Sequence, residues 1–186
     1  MDLTQQEQGA IATLRGGDVQ GLEILVRLYQ LQAVRTAYAI TGSRHTAEDV
    51  VADAFLKVYD RIHQFNAQRT FSPWFYRIVV NGALKAVRAA QRTHTPNDLD
   101  IEWLDQQVSE SPGPEEEAAT REMRLLLLGA IYTLPPHQRA AVVLRYYLDM
   151  DEATMAQTLG CPLGTVKWRL HAARHRLRRT LTPEMG

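Results

Sequence analysis

LPPHQRAAVVLRYYLDMDEATMAQTLGCPLGTVKWRLHAARHRLRRTL, residues 134–181, is the stretch that decides how this chain is built. Pro135 and Pro136 can begin a helix but not continue one. Ala141, Leu144 and Leu148 follow at helical spacing and predict an apolar stripe. Asp151 is placed to cap a short helix over residues 152–159, because a carboxylate there accepts from backbone N–H groups of the first turn. Gly160-Cys161-Pro162 breaks that helix, and another runs from about residue 163 onward. Two short helices joined by a tight turn containing glycine have the layout of a helix-turn-helix. On the second of them Val166, Leu170, Ala173 and Leu177 share one face, which must meet a core. Gly164, Lys167, Trp168, His171 and His175 fall on the other side. Between Gly160 and Thr180 lie six cations (Lys167, Arg169, Arg174, Arg176, Arg178 and Arg179) and no acid. A charge run is most often a solvated face, but this one also suits a polyanion.

The whole chain has 186 residues, with 21 Lys and Arg against 21 Asp and Glu. That neutrality hides a strong partition. Residues 1–95 carry 11 cations and 8 acids, residues 96–122 one cation and nine acids, and residues 123–186 nine cations and four acids. Two mildly basic blocks thus flank an acidic connector, and the distribution says more about partners than the sum does. The single cysteine, Cys161, excludes an internal disulfide and a multi-cysteine zinc site. No apolar run approaches the roughly 18 residues of a membrane helix, and the polar N-terminus does not read as a secretory signal. A cytoplasmic protein with no membrane insertion is expected.

Apolar spacing is three to four nearly everywhere and alternation is scarce, so an all-α chain is predicted. The pattern predicts helices over about residues 20–41 and 47–64, the second capped by Thr46 with Glu48 and Asp49 in its first turn. A loop over 65–72 precedes a helix from Pro73 to about Arg92. Residues 93–118 are rich in proline, glycine and acids, a linker composition, in which Ile101, Trp103 and Leu104 form a possible apolar plug. A further helix begins near Glu115. The architecture expected is two small helical domains, 1–94 and 119–186, joined by a flexible acidic linker over 95–118.

On the helix 47–64, Val51, Ala54, Phe55, Val58 and Ile62 form the buried face. Asp49, Ala52, Asp53, Leu56, Lys57 and Asp60 lie opposite, either as ordinary surface or as a docking face. On the helix from Pro73, the residues Phe75, Val79, Gly82, Ala83, Ala86 and Ala90 face inward. Arg77, Asn81, Lys85, Arg88 and Arg92 then make a polar stripe without an acid, which is what phosphate tracking requires. Phe71, Trp74, Phe75 and Tyr76 cluster at its start. Aromatic rings can stack single-stranded bases or can simply be core, and for Trp74 and Phe75 the core reading is favoured.

The wording of these segments is more specific than their periodicity. LPPxQRxxxxLRYYLD followed by LGxxxGTVKxRLHxAR resembles region four of the bacterial extracytoplasmic-function (ECF) sigma factors, promoter-recognition subunits of RNA polymerase. AEDVVxDxFLKVY and FSPWFYRIVVNGALKAVR resemble segments of region two of the same family, and the resemblance spans about residues 21–179 in the right order. It implies a sigma factor without catalysis or cofactor of its own, which gives core polymerase its promoter specificity and is held in check by an anti-sigma factor. By resemblance, Asp49, Ala52, Asp53 and Leu56 dock on the clamp of the largest polymerase subunit, and the second domain meets the flap of the second subunit. Many relatives carry Gln and Glu where Ala52 and Asp53 stand. The loop 65–72 would form a pocket for a flipped base of the −10 element, with Asn81 beside it. Arg77, Lys85 and Arg88 would hold the backbone, and Trp74 and Phe71 would help at the bases. Thr165, Lys167, Trp168, Arg169, His171, Ala172 and Arg174 would face the −35 element. The family commonly has Ser where Trp168 stands and often Arg where Ala172 stands.

Three other readings compete. His171 and His175 at i, i+4 have metal-ligand spacing, but no supporting carboxylate lies in that cationic helix. No metal and no catalytic constellation are therefore expected. A DNA-binding regulator acting without polymerase would explain residues 134–181 and leave the first block unexplained, and a purely protein-binding helical adaptor is a third possibility. Cys161, in the turn, reads as a small packing residue before it reads as a redox sensor.

Overall fold

A computed structural model describes residues 3–93 and 114–182, and every element among them is helical. Most of the expected linker, with Ile101, Trp103 and Leu104, lies outside the described residues. The first block comprises α1 (Leu3–Arg15), α2 (Gln20–Thr41), α3 (Arg44–Arg61), a 3₁₀ turn (Ile62–Gln64) and α4 (Phe71–Thr93). The second comprises α5 (Pro114–Tyr132), α6 (Pro136–Val142), a π-helical turn (Val143–Tyr147), α7 (Glu152–Leu159) and α8 (Leu163–Leu181).

Helix α1 was not expected from the pattern, because LTQQEQGAIATLR has few apolar residues. Those few, Ala10, Ile11 and Leu14, are buried against α2. Gly21 permits the approach: a Cβ there would lie 2.3 Å from the Ala10 carbonyl oxygen. Helix α3 starts earlier than predicted, since Ser43 and not Thr46 is the N-cap and accepts from the Thr46 N–H at 3.3 Å. Glu48 and Asp49 consequently sit one turn further in, where they pair with Arg44 and His45. The predicted apolar face holds, with Val51, Ala54, Phe55, Val58 and Ile62 all buried. Helix α4 also starts early, at Phe71, because that ring enters an aromatic cluster. Tyr29 meets Phe71 and Phe75 edge-on at 5.3 Å each, and Phe71 stacks on Phe75 at 5.8 Å. Each such ring buried from water stabilises the domain by about 1.5–3 kcal/mol.

The helix-turn-helix forms as its punctuation predicts. Asp151 accepts from the Thr154 N–H at 2.8 Å, and Gly160 ends α7 in the left-handed conformation at φ 59°. The Cys161 N–H then closes back on the Ala156 carbonyl at 3.1 Å, satisfying an end-of-helix acceptor. Val166, Leu170 and Ala173 are buried as expected, and Leu177 packs partly buried beside Leu134, Val142 and Ala173.

The two blocks pack on each other. One continuous core runs from Leu25 and Phe75 through to Leu144, Met155 and Val166. Helix α4 sits at its centre, flanked by α2 and α3 from its own block and by α6 and α7 from the other. This second set of neighbours widens the buried face of α4 beyond the predicted stripe, to include Val80, Leu84 and Val87.

Candidate nucleic-acid interface

Helix α8 presents its polar face to solvent from its first turns. Lys167, Trp168 and His171 are exposed together, and Trp168 keeps 62% of its surface accessible. An indole so placed contributes nothing to the core, while Val166 and Leu170 on the opposite side fix its direction. Thr165 and Ala172 flank this patch half-buried, and Arg174 is exposed with its Nε donating to the Leu170 carbonyl at 3.4 Å. Lys167 stands 3.9 Å from Glu152, a solvated and therefore weak pair. Arg169 departs from the sequence reading. It turns away from the patch, and its Nη1 approaches Cys161 Sγ at 3.6 Å. Its position two residues beyond Lys167 rotates it off the exposed face, and its charge reaches His137 of α6.

On α4 the stripe of Arg77, Asn81, Lys85 and Arg88 lies exposed along one side, with no acid among its members. Trp74 is half-buried against Phe65 and Phe71, with centroids at 5.1 and 5.6 Å. Phe71 does not belong with these residues. It is fully buried among Tyr29, Phe65 and Phe75, so no face of its ring is open to a base. The sequence could not separate it from Trp74, because both stand at the start of an amphipathic helix. Tyr76 is likewise interior, its hydroxyl donating to Gln32 Oε1 at 2.9 Å.

The outer face of α3 exposes Asp49, Ala52, Asp53 and Leu56, and Leu56 keeps 61% of its surface. Tyr59, which the sequence reading passed over, is also exposed and follows Leu56 at i+3. Together they form an apolar pair ringed by carboxylates.

Three further residues had no local signal. Tyr132 Oη donates to the Tyr38 carbonyl at 2.8 Å, and Arg139 Nη1 donates to the Ile40 carbonyl at 2.7 Å. Arg88 Nη2 lies 2.8 Å from His137 Nε2. A guanidinium only donates, so His137 must accept there and carry its own proton on Nδ1. Burial, then the charges of Arg169 and Arg88, hold the His137 pKa below its ordinary 6.5. The loop 65–72 and the turn of the helix-turn-helix face each other across a cleft of about 1210 Å³, lined among others by Asn66, Trp74, Arg77, Gln157 and Cys161. Among the described residues no group of three or more His, Cys, Asp or Glu converges, and no helix is long and apolar enough to cross a membrane.

A helix-turn-helix with an exposed cationic reading helix, beside a second helical domain with an acid-free basic stripe, defines a class of two-part helical DNA-reading proteins. Comparison with known proteins narrows it. The family model for sigma-70 region 2 matches residues 25–93, and that for sigma-70 region 4 matches residues 124–177. ECF RNA polymerase sigma factor SigW of Bacillus subtilis is 29% identical over 92% of this chain and 94% of its own length. The ECF RNA polymerase sigma-E factor of Haemophilus influenzae is 29% identical over 96% of this chain and 97% of its own. In fold the chain is similar to CnrH, solved in complex with the cytosolic domain of CnrY, with a TM-score of 0.67 and 19% identity over 95% of this chain and 97% of that one. The sigma factor RpoE of Bartonella quintana, solved with the anti-sigma factor NepR, gives 0.61 and 24% over 86% and 94%. The chain belongs to the ECF RNA polymerase sigma factors.

Proposed function

We propose that this chain joins core RNA polymerase and directs it to a class of promoters, with the first block reading and opening the −10 element and the second reading the −35 element. The observation that carries this is the pairing of two acid-free cationic faces on separate helices, α4 and α8, within one chain of this family. Among the described residues neither face gathers three or more metal-ligating side chains. The protein acts by binding alone, in the cytoplasm, and leaves the chemistry to the polymerase.

Each part then has a physical task. Arg77, Lys85 and Arg88 neutralise phosphates of the displaced strand, releasing counterions. Trp74 offers a ring edge beside the loop 65–72, and Asn81 offers both donors and acceptors to a base held out of the stack. Unstacking costs a few kcal/mol per step, which these contacts must offset. Lys167, Trp168 and His171 enter the major groove from the first turns of α8, where recognition helices present their readers. Asp49, Ala52, Asp53 and Leu56, with Tyr59, supply a carboxylate-rimmed apolar patch for the polymerase clamp. An anti-sigma factor is the expected inhibitory partner, in keeping with the complex formed by the Bartonella relative.

The test is reconstitution. Protein alone should bind promoter duplex weakly, while protein with core polymerase should give specific run-off transcripts. Tight, sequence-specific operator binding without polymerase would replace this reading with that of a simple regulator.

A further inference from the structure

We propose that the cleft between the loop 65–72 and the turn of the helix-turn-helix binds a free adenine nucleotide carrying a pyrophosphate, with its base on Trp74 and its phosphates on Arg69 and Arg77. The site shares Trp74, Arg77 and the loop with the −10 reading but does not depend on it, because the ligand is a small molecule met by the chain without DNA.

Charge sets the ligand's sign. Among the described residues no Asp or Glu lines the cleft, whereas Arg69 and Arg77 do. Arg77 Nη2 would stand 3.5 Å from a Cβ built on Gly160, so its guanidinium reaches across to the turn. On the same turn Arg169 Nη1 approaches Cys161 Sγ at 3.6 Å. Two guanidiniums thus approach adjacent residues of one turn, with no carboxylate along the cleft to offset their repulsion. An anion relieves it. Phosphate suits the position best, because the guanidinium fork meets two of its oxygens at once. The cleft, at about 1210 Å³, is somewhat larger than the roughly 300–1,000 Å³ of ordinary small-ligand sites. A nucleotide fits with bridging water.

The remaining lining sets the ligand's other half. Trp74 is half-buried, held by Phe65 and Phe71 at 5.1 and 5.6 Å, and still lines the cleft. An indole fixed in this way loses little freedom when a base stacks on it. The carboxamides of Gln64, Asn66, Gln68 and Gln157 line the cleft as well. An amide pairs with adenine through N6 and N7 together, which selects adenine among the bases. The loop is shaped in advance: Asn66 Oδ1 accepts from the Gln68 N–H at 3.0 Å, and the Asn66 carbonyl accepts from the Arg69 N–H at 2.9 Å. The backbone carrying Arg69 is therefore set before any ligand arrives, which lowers the cost of binding. A nucleotide within a DNA strand offers the same base and phosphate chemistry. On the −10 reading a strand is held by the first block, so Gln157, on α7, belongs to the free-nucleotide site alone.

Titration calorimetry on the full chain tests the site, with ADP, adenosine, inorganic pyrophosphate and a short oligodeoxyadenylate as separate probes. ADP should bind roughly tenfold tighter than adenosine or pyrophosphate, since each of those supplies only half of the contacts. Arg69→Gln and Gln157→Ala change exposed side chains, and circular dichroism verifies that both variants fold. Each should weaken ADP roughly fivefold, the loss of about one hydrogen-bonded contact. Absence of ADP binding overturns the proposal. Pyrophosphate binding as tightly as ADP leaves only an anion contact and overturns the nucleotide. ADP binding unchanged in both variants lies elsewhere and overturns the site. Oligodeoxyadenylate binding without ADP binding assigns the chemistry to a DNA strand and overturns the free ligand. Run-off transcription with core polymerase tests the promoter reading independently, so either reading can fail while the other stands.

Discussion

Arg139 Nη1 donates to the carbonyl oxygen of Ile40 at 2.7 Å, joining residues 99 apart in the sequence through a guanidinium that is only 7% exposed. Burial lowers its pKa, partly opposed by Tyr132, yet a guanidinium stays charged throughout the working range. The charge is accommodated because three carbonyls, those of Ile40, Tyr132 and Leu134, accept from its two terminal nitrogens. Arg139 is therefore a structural cation and not a DNA ligand, although it lies in a basic block of a DNA-reading protein.

Replacing it should be costly. Arg139→Ala leaves buried acceptors without donors, and each such loss costs about 1–3 kcal/mol. Urea unfolding should show a loss of about 3 kcal/mol. Arg139→Lys keeps the charge but not the fork that reaches three carbonyls, so it should fall between. A loss below about 0.5 kcal/mol for Arg139→Ala, the range of ordinary surface substitutions, would mean the contact is not maintained in solution.

His137 makes the packing of the two blocks sensitive to acid. Its folded-state pKa lies below 6.5, with Arg88 of α4 and Arg169 of α8 as the charges facing it. Above that value the group is neutral whether or not it is buried by this packing, and it has no effect. As pH falls below 6.5 a His137 released from the packing takes up a proton first, so the packed arrangement weakens until pH passes below the depressed value. Protonation also places an N–H where Nε2 now accepts from Arg88. Stability and compactness, followed from about pH 8 to about pH 5, should drop for the wild type more than for His137→Gln. Parallel curves for the two would remove His137 from the account.

Much of this arrangement was legible in the sequence, for stated reasons. The buried faces of α3 and α8 followed from spacing alone, and Asp151 and Gly160 marked the ends of α7. The elements that escaped notice lacked a local signature. Among its described side chains helix α1 buries three apolar ones, Ala10, Ile11 and Leu14, too few to set a period. Ser43 and Thr46 both carry cap-forming hydroxyls, and only the geometry chooses Ser43. Phe71 and Arg169 were assigned to DNA because aromatic and basic residues near a reading helix look alike from outside, whereas packing turns Phe71 inward and Arg169 toward Cys161. The contacts Tyr132–Tyr38 and Arg88–His137 join residues 94 and 49 apart, and no pattern of neighbours encodes such pairs.

On the proposed reading, Asn81 and the loop beside it act in promoter opening and not in promoter recruitment. Asn81 is exposed in the middle of the α4 stripe, one turn after Arg77. An amide there can bond a base displaced from the stack but adds no charge for holding duplex. Asn81→Ala should thus impair strand opening while leaving polymerase recruitment nearly intact. Permanganate footprinting should show weaker −10 reactivity on duplex promoters, with recovery on a template already melted there. Failure of the melted template to rescue transcription would place the defect outside the opening step.

Trp168 should set which −35 sequence is preferred. It stands 62% exposed between Lys167 and His171, held outward by Val166 and Leu170 beneath. Where relatives commonly carry Ser, this chain offers a large apolar face and a single indole donor. Such a face can lie against a thymine methyl in the major groove, and it cannot reproduce the compact bonding of a hydroxyl. Ala172, half-buried on the same helix, leaves out a cation that relatives often place there, removing one guanine or phosphate contact. The preferred −35 element should therefore differ from the one commonest in the family. Lys167→Ala should weaken binding by about 1–3 kcal/mol if its ammonium reads a base edge. Trp168→Ser should instead redistribute preference among −35 sequences, because it exchanges one kind of contact for another. Transcription from a randomised −35 library by both forms reads this directly. Coincident preference profiles would reduce Trp168 to a backbone contact, and a uniform loss across all sequences would assign it to affinity alone.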